Sequence, residues 1–317
     1  MHAVTKLKVG VIGLGAFAKL ARLPVLALRD DVELTACMAR DAATAEEVGR
    51  RFGFQRTYTA LEHLIADSGI EAAFVVTPKE AHHKIVLALL RRGIHVFCEK
   101  PMATSLPMAE EMVKTAADQG KVLMIGFNRR FAPVYELARA EFRAAAPEAC
   151  LAVKNRPGTE LRATLENAIH MVDLLRWFCG ECVHVEARAR FEDPFYETTT
   201  AAMLTFDSGA TGILLANRSC GQWEERLEMH GAGKSVLVSM PDQVTVVDHE
   251  QEHARRMTPL RMGWAGLQEK FGFEREVAHF LDCVRSGREP LTSGRDSLKT
   301  HILMHEILCS AGLPGLE

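Results

Sequence analysis

Leu7-Lys8-Val9-Gly10-Val11-Ile12-Gly13-Leu14-Gly15-Ala16-Phe17-Ala18 is the stretch on which the reading of this chain turns. An apolar strand runs into two glycines and then into a helical periodicity over about Phe17 to Leu28. The pattern is G-x-G-x-x-A. Gly13 permits a tight turn, Gly15 lets backbone approach a pyrophosphate, and Ala18 is small enough for the helix to pack close to the strand. The helix start at Ala16 and Phe17 then offers free N–H groups and a positive dipole end to phosphates. A structural loop is the bland alternative, and the strand–turn–helix context favours a dinucleotide cradle.

Working outward, strands at Val32–Met38, Ala72–Val76, Ile94–Cys98 and Lys121–Ile125 alternate with helices at 42–52, 80–92 and 108–119. That alternation predicts a doubly wound parallel sheet over residues 1–125. After Gly126 the texture changes. Helices over 133–145 and 165–178 flank a strand at 151–154, and six strand-like segments follow between 183 and 248. Turns such as Asp207-Ser208-Gly209 and Gly231-Ala232-Gly233 separate several of them. Residues 126–317 therefore read as an α+β domain with a large, mostly antiparallel open sheet, closed by helices over 273–286 and 297–310. Such a sheet needs one face covered, and the other is a place for a subunit contact.

The chain has 317 residues, 38 basic and 41 acidic side chains, and a net charge of −3. So even a balance argues against nucleic-acid or membrane-surface binding. No apolar stretch approaches the roughly 18 residues of a membrane span. Met1 to Lys6 leads directly into a strand without a signal-type apolar core. Eight scattered cysteines suit a reducing compartment, so the expected location is the cytoplasm.

Cofactor choice depends on the end of the second strand, Cys37-Met38-Ala39-Arg40-Asp41. Ala39 stands where an NAD enzyme carries an acid for the ribose 2′-hydroxyl, and Arg40 follows it. A guanidinium pairs well with a 2′-phosphate, so NADP is favoured over NAD. The alternative leaves Arg40 in solvent and has Asp41 cap the next helix. Glu99-Lys100-Pro101 follows the fourth of these strands at the carboxyl edge, where ligands of such folds sit. Lys100 beside a nicotinamide can hold a substrate oxygen and pass a proton.

Thr77-Pro78 with His82, GIHVFCEKP over 93–101, GFNRRF over 126–131, and His170 with Asp173 together resemble the Gfo/Idh/MocA oxidoreductases. The resemblance runs the length of the chain. It implies a Rossmann domain, a second domain whose open sheet forms homodimers or homotetramers, and hydride transfer between nicotinamide and a sugar or cyclitol. It makes Lys100 the catalytic lysine and His170 the general base or acid. The family commonly reads D-x-x-x-H there, and Glu166 takes the aspartate's place. On a regular helix Glu166 and His170 share a face, one turn apart. Asp173 reads as structural. The resemblance places Asn128, Arg129, Asn155 and Arg156 among substrate contacts, and Thr77, Pro78, His82 and Glu99 on the cofactor side. Where many relatives carry Asn, this chain has Lys79.

Two readings compete with a sugar dehydrogenase: a dinucleotide-binding, sugar-sensing regulator without turnover, and a reductase of a non-sugar. Cys179-Gly180-Glu181-Cys182 lacks the second ligand pair of a zinc site and the βα context of a redox motif, so no metal is expected. His301 and His305 with Glu306 do not follow H-E-x-x-H and read as interface or helix surface.

Overall fold

The computed structural model describes residues 5–158, 162–191, 193, 196–256 and 266–316. The start of the chain, Met1–Val4, lies outside them. The chain divides into two compact units, Met1–Phe127 with Phe273–Leu298, and Asn128–Gly272 with Lys299–Glu317.

In the first unit six parallel strands, β1 (Leu7–Ile12), β2 (Val32–Met38), β3 (Arg56–Tyr58), β4 (Ala72–Val75), β5 (His95–Cys98) and β6 (Leu123–Ile125), lie in the order β3-β2-β1-β4-β5-β6. The order reverses direction at β1/β4, the switch point beside which open α/β sheets bind ligands. Register brings the strand ends level. Ile12 pairs with Met38 and Val75, and Cys98 with Val75 and Ile125. Whatever follows each strand therefore emerges along one edge of the sheet. β3 is an element that the sequence pattern did not reveal, as is the helix Leu61–Asp67.

The helix Phe273–Ser286 joins this unit although it follows the second in sequence. The expected division at residue 125 thus differs from the observed one, for a packing reason. Phe273, Val277, Phe280 and Leu281 form an apolar stripe at helical spacing, and all four are buried. The Phe280 ring meets Phe74 and Phe97 edge-on, at centroid distances of 5.2 and 5.7 Å. Next along, Thr292 holds the edge of the sheet: its carbonyl accepts from Ile125 N at 2.9 Å, and its hydroxyl donates to Ile125 O at 2.8 Å. An otherwise bare β6 edge is thereby covered.

The second unit is built on eight strands: β7 (Ala149–Asn155), β8 (Cys182–Arg190), β9 (Thr199–Phe206), β10 (Thr211–Asn217), β11 (Glu224–Gly231), β12 (Lys234–Ser239), β13 (Gln243–Asp248) and β14 (Gln251–Arg256). Their order is β14-β13-β12-β11-β7-β10-β9-β8, antiparallel except for the β7–β10 pair. Alternation is clean along β9 and β10. Ala202, Leu204, Phe206, Leu214 and Ala216 are buried, whereas Met203 and Ile213 stay 49% and 45% exposed. These two are cross-strand partners on the open face, and Leu151 pairs with Ile213 from the other side. Among the described residues, no helix is long and apolar enough to cross a membrane.

Candidate active site

The glycine turn lies at the end of β1. Gly13 has φ +94°, and a Cβ on it would lie 2.5 Å from the Val76 carbonyl oxygen, so only glycine fits. Gly15 differs: a Cβ there would meet nothing within 4 Å. Protein packing does not explain this second glycine, but close approach of a ligand to the backbone does. A cleft of about 940 Å³ opens at this point, lined by Gly13, Gly15, Ala39, Arg40, Thr77 and Pro78 among others. The Thr77 hydroxyl is buried and has no hydrogen-bond partner among the described residues. A polar atom held in that state on a cleft wall calls for a ligand group or water. Open space at Gly15 and an unsatisfied Thr77 both fit a bound dinucleotide.

Asp41 lines the cleft too, but its carboxylate is engaged in capping the next helix. Its carboxylate accepts from Ala43 N at 3.3 Å and Thr44 N at 2.7 Å, capping the helix Ala42–Phe52. The Thr44 side chain first, and then those backbone bonds, hold its pKa below the usual carboxylate range. Arg40 is exposed beside it on the cleft wall. Ala16 and Phe17 are not among the lining residues. The Phe17 ring meets Phe273 edge-on, at 5.7 Å between centroids.

Lys100 and Pro101 follow β5, joined by a cis peptide bond, and Lys100 is half-buried. His82 ties this turn to the cleft wall. Its Nδ1 lies 2.9 Å from the Pro101 carbonyl oxygen and its Nε2 2.9 Å from that of Thr77. Burial pushes the His82 pKa down, against the pull of those two carbonyls and of Glu99. The ring, 1% exposed, acts as a strut between two loops. Through Thr77 it also touches the cleft wall. Glu99 also turns inward, onto Arg22, and is 7% exposed.

Within the second unit, the residues expected near substrate are mostly engaged with protein. Asn128 Nδ2 donates to Phe271 O at 2.8 Å. Arg129 forms a two-pronged pair with Glu225, at 2.7 and 2.9 Å. Tyr135 Oη donates to the same carboxylate at 3.0 Å, and Lys154 Nζ reaches its other oxygen. Burial raises the Glu225 pKa, but the Arg129 and Lys154 charges outweigh it and hold the group at about 2. Asn155 Nδ2 donates to Glu224 at 2.9 Å, leaving its Oδ1 buried and unsatisfied. Arg156 is exposed beside Pro157-Gly158. Asp173 is fully buried, bonded to Arg130 at 2.6 and 2.8 Å and to Thr300 Oγ1 at 3.0 Å, a structural role.

His170 is 7% exposed at the start of the helix Ile169–Cys179. A π-helical turn, Ala163–Ala168, precedes it and contains Glu166. Glu166 thus stands on the π-turn and His170 on the α-helix that continues it, four residues apart in sequence. His301 departs from a surface reading, being 1% exposed. His305 Nδ1 accepts from Leu316 N at 3.0 Å. Cys182 Sγ donates to His184 O at 3.2 Å, and Cys179 Sγ lies 3.3 Å from Cys150 Sγ. No group of residues fit to hold a metal occurs among the described residues.

The sequence reading passed over Leu14, Thr44, Thr59 and Lys84, all of which line the cleft. Thr59 follows β3, so recognising that strand is the signal that would have placed it at the sheet edge. Arg22 was also missed, because nothing local marks a buried arginine inside a helical pattern.

The family described as "Oxidoreductase family, NAD-binding Rossmann fold" matches residues 7–127, and the GFO/IDH/MocA C-terminal domain matches residues 136–237. The chain is 25% identical over 309 residues to myo-inositol 2-dehydrogenase of Thermotoga maritima, covering 92% of each. It is 24% identical over 338 residues to D-apiose dehydrogenase of Paraburkholderia graminis, covering 97% of this chain and 88% of that one. Its fold is shared with an oxidoreductase from Agrobacterium radiobacter solved with NAD+, L-tartaric acid and magnesium (TM-score 0.87, 23% identity, 97% of each chain). With both of its parts matched in order, this chain belongs to the GFO/IDH/MocA family of oxidoreductases, with an NAD-binding Rossmann fold.

Proposed function

We propose that this enzyme moves a hydride between a sugar or cyclitol carbon and nicotinamide, with NADP preferred to NAD. The observation that carries the reading is the His82 strut, which joins Thr77 on the cleft wall to the turn holding Lys100. It supports a lysine presented at the end of a dinucleotide cleft. The names of the inositol and apiose dehydrogenases support the substrate class.

Bound nicotinamide supplies a hydride acceptor or donor at C4. In the oxidation direction the substrate C–H electron pair leaves with its hydrogen, and the hydroxyl proton must go to a base. That base is His170, with Glu166 as its companion carboxylate. The Lys100 ammonium donates a hydrogen bond to the oxygen as it becomes a carbonyl. Arg156, exposed and cationic, is assigned to a polar or anionic substituent, and Asn155 Oδ1 to a substrate hydroxyl. Asn128 and Arg129 hold the framework.

NADP preference rests on Ala39 and Arg40 lining the cleft while Asp41 caps a helix. Arg40→Ala is expected to weaken NADP binding about tenfold and leave NAD within about twofold, read by titration. Equal effects on both cofactors would remove the preference. The decisive functional experiment is a thermal-shift screen of NAD, NADP, sugars and nucleotide sugars, followed by absorbance at 340 nm. Turnover of a polyol is the expected result. Binding of NADP without turnover of any panel member would instead favour a sensing regulator.

Met203, Ile213 and Leu151 put apolar surface on the open sheet face, which supports a homodimer or homotetramer. Gel filtration is expected to give a multiple of the 35.1 kDa chain mass, and a single-chain mass at micromolar concentration would refute it. The eight cysteines are all free, in keeping with the cytoplasm.

A further inference from the structure

We propose that Arg22 is a positioning residue for Lys100, acting through Glu99; this rests on the role given to Lys100 above. Arg22 sits on the helical segment that follows the glycine turn and is fully buried. Its Nε donates to Glu99 Oε1 and its Nη1 to Glu276 Oε2, each at 2.6 Å. Glu276 is itself fully buried, on the helix Phe273–Ser286. The Phe97 and Phe273 rings lie 4.5 and 4.9 Å from the guanidinium carbon. Every residue of this cluster belongs to the first unit.

Three features separate this arrangement from an ordinary structural ion pair. The first is backbone irregularity. Ala18–Arg22 is a π-turn, and its wider winding shifts the phase of the helix at Arg22. Rare turns of this kind concentrate at functional sites. The second is Gly126, at the end of β6. A Cβ there would lie 2.9 Å from Glu99 Oε2 and 3.3 Å from Arg22 Nη2, so a side chain is omitted where the Glu99 carboxylate needs room. The third is energetic. Burying one cation with two carboxylates carries a desolvation cost that an apolar filling would avoid, so holding a specific geometry is the gain to look for.

That geometry leads to Lys100. The parallel ladder continues past β5, with Glu99 N donating to Val75 O at 3.0 Å. A Glu99 carboxylate held inward by Arg22 therefore fixes the backbone where the chain leaves the sheet and bends at Lys100. His82 fixes the carbonyl of Pro101 from the other end. The turn is thus held at both ends, and Arg22 provides the anchor at the first.

The test is a cycle of Arg22→Lys, Glu99→Gln and the double variant in the full-length chain. Lysine keeps the charge of Arg22 but cannot reach two carboxylates with a planar fork. Two quantities are read: steady-state kinetics, and the pH dependence of Lys100 acylation by an amine-reactive ester, followed by peptide mass spectrometry. Arg22→Lys is expected to lower kcat about 10- to 100-fold with KM for the dinucleotide within about twofold. It is also expected to move the Lys100 acylation midpoint by roughly half a pH unit or more. In the Glu99→Gln background the same change should add less than about twofold, since the coupling is already broken. Equal effects in both backgrounds, or an unaltered Lys100 acylation profile, would overturn the proposal. Should Arg22→Lys fail to fold, Glu276→Gln loosens the same guanidinium from behind. It should lower kcat about 3- to 10-fold with the same acylation shift, and no change in either overturns the idea. Acylation needs no substrate, so a chain that turns over nothing would sink the oxidoreductase reading while leaving this test intact.

Discussion

Lys100→Met should lower kcat and kcat/KM together, by about 10²- to 10⁴-fold, with dinucleotide affinity held within about threefold. Methionine keeps the length and much of the apolar stem of lysine and removes only the ammonium. Lys100 is half-buried and is not among the cleft-lining residues, so its loss leaves Gly13, Gly15 and Thr77 in place for the nucleotide. A parallel fall in both constants is the signature of an interaction made in the transition state rather than in substrate binding. Full turnover by Lys100→Met would remove the assigned role. A rise in dinucleotide Kd of similar size to the fall in kcat would recast Lys100 as a cofactor ligand.

Glu225→Gln carries the largest expected effect on stability, a loss of about 3–5 kcal/mol, measured by denaturant unfolding of the second unit's transition. The carboxylate is fully buried and meets Arg129, Lys154 and Tyr135 at once. Glutamine is nearly isosteric but neutral, so two buried cations lose this countercharge while the packing volume is kept. The same group gives a pH dependence. Held at about 2 in the folded chain, against a usual carboxylate value near 4.3, Glu225 contributes stability that is fully present above that usual value. The contribution is lost as pH falls toward 2. Wild type is therefore expected to destabilise more steeply than Glu225→Gln between about pH 4.5 and 2. Parallel pH curves for the two proteins would show that the pair contributes nothing net.

The parts of the fold that the sequence shows plainly are those where side-chain pattern and backbone need coincide. β4 is an unbroken apolar run, and β1 and β5 are broken only by Lys8 and His95 near their starts, because both faces of a parallel sheet are covered. Arg56-Thr57-Tyr58 escaped notice because an outermost strand of three residues buries too little to leave a pattern. Gln251–Arg256 escaped for a related reason: an edge strand is better polar, which hides it among loops. In the site, Gly13, Arg40 and Thr77 are legible because each lies within two residues of the end of a strand of the parallel sheet. Arg129 is not legible in the same way. Its partner Glu225 lies 96 residues on, and neither local pattern nor resemblance marks which arginine finds a buried carboxylate. Arg22 and Glu276, 254 residues apart, are the extreme case. The π-turn that carries Glu166 was not legible either, since nothing in Ala163–Ala168 distinguishes it from an ordinary helical turn.

The return of Phe273–Leu298 to the first unit has a consequence for how the chain is made. A ribosome that has delivered Phe127 must still add the whole intervening segment before Phe280 exists to cover Phe74 and Phe97. At ~5–20 residues per second that delay is roughly 8–30 s. Throughout it the nascent nucleotide-binding half carries a bare aromatic face, and an Arg22 that lacks Glu276. A truncated chain that stops after Phe127 would keep that face uncovered permanently, so the shortest autonomous version of this half needs its late helix grafted back.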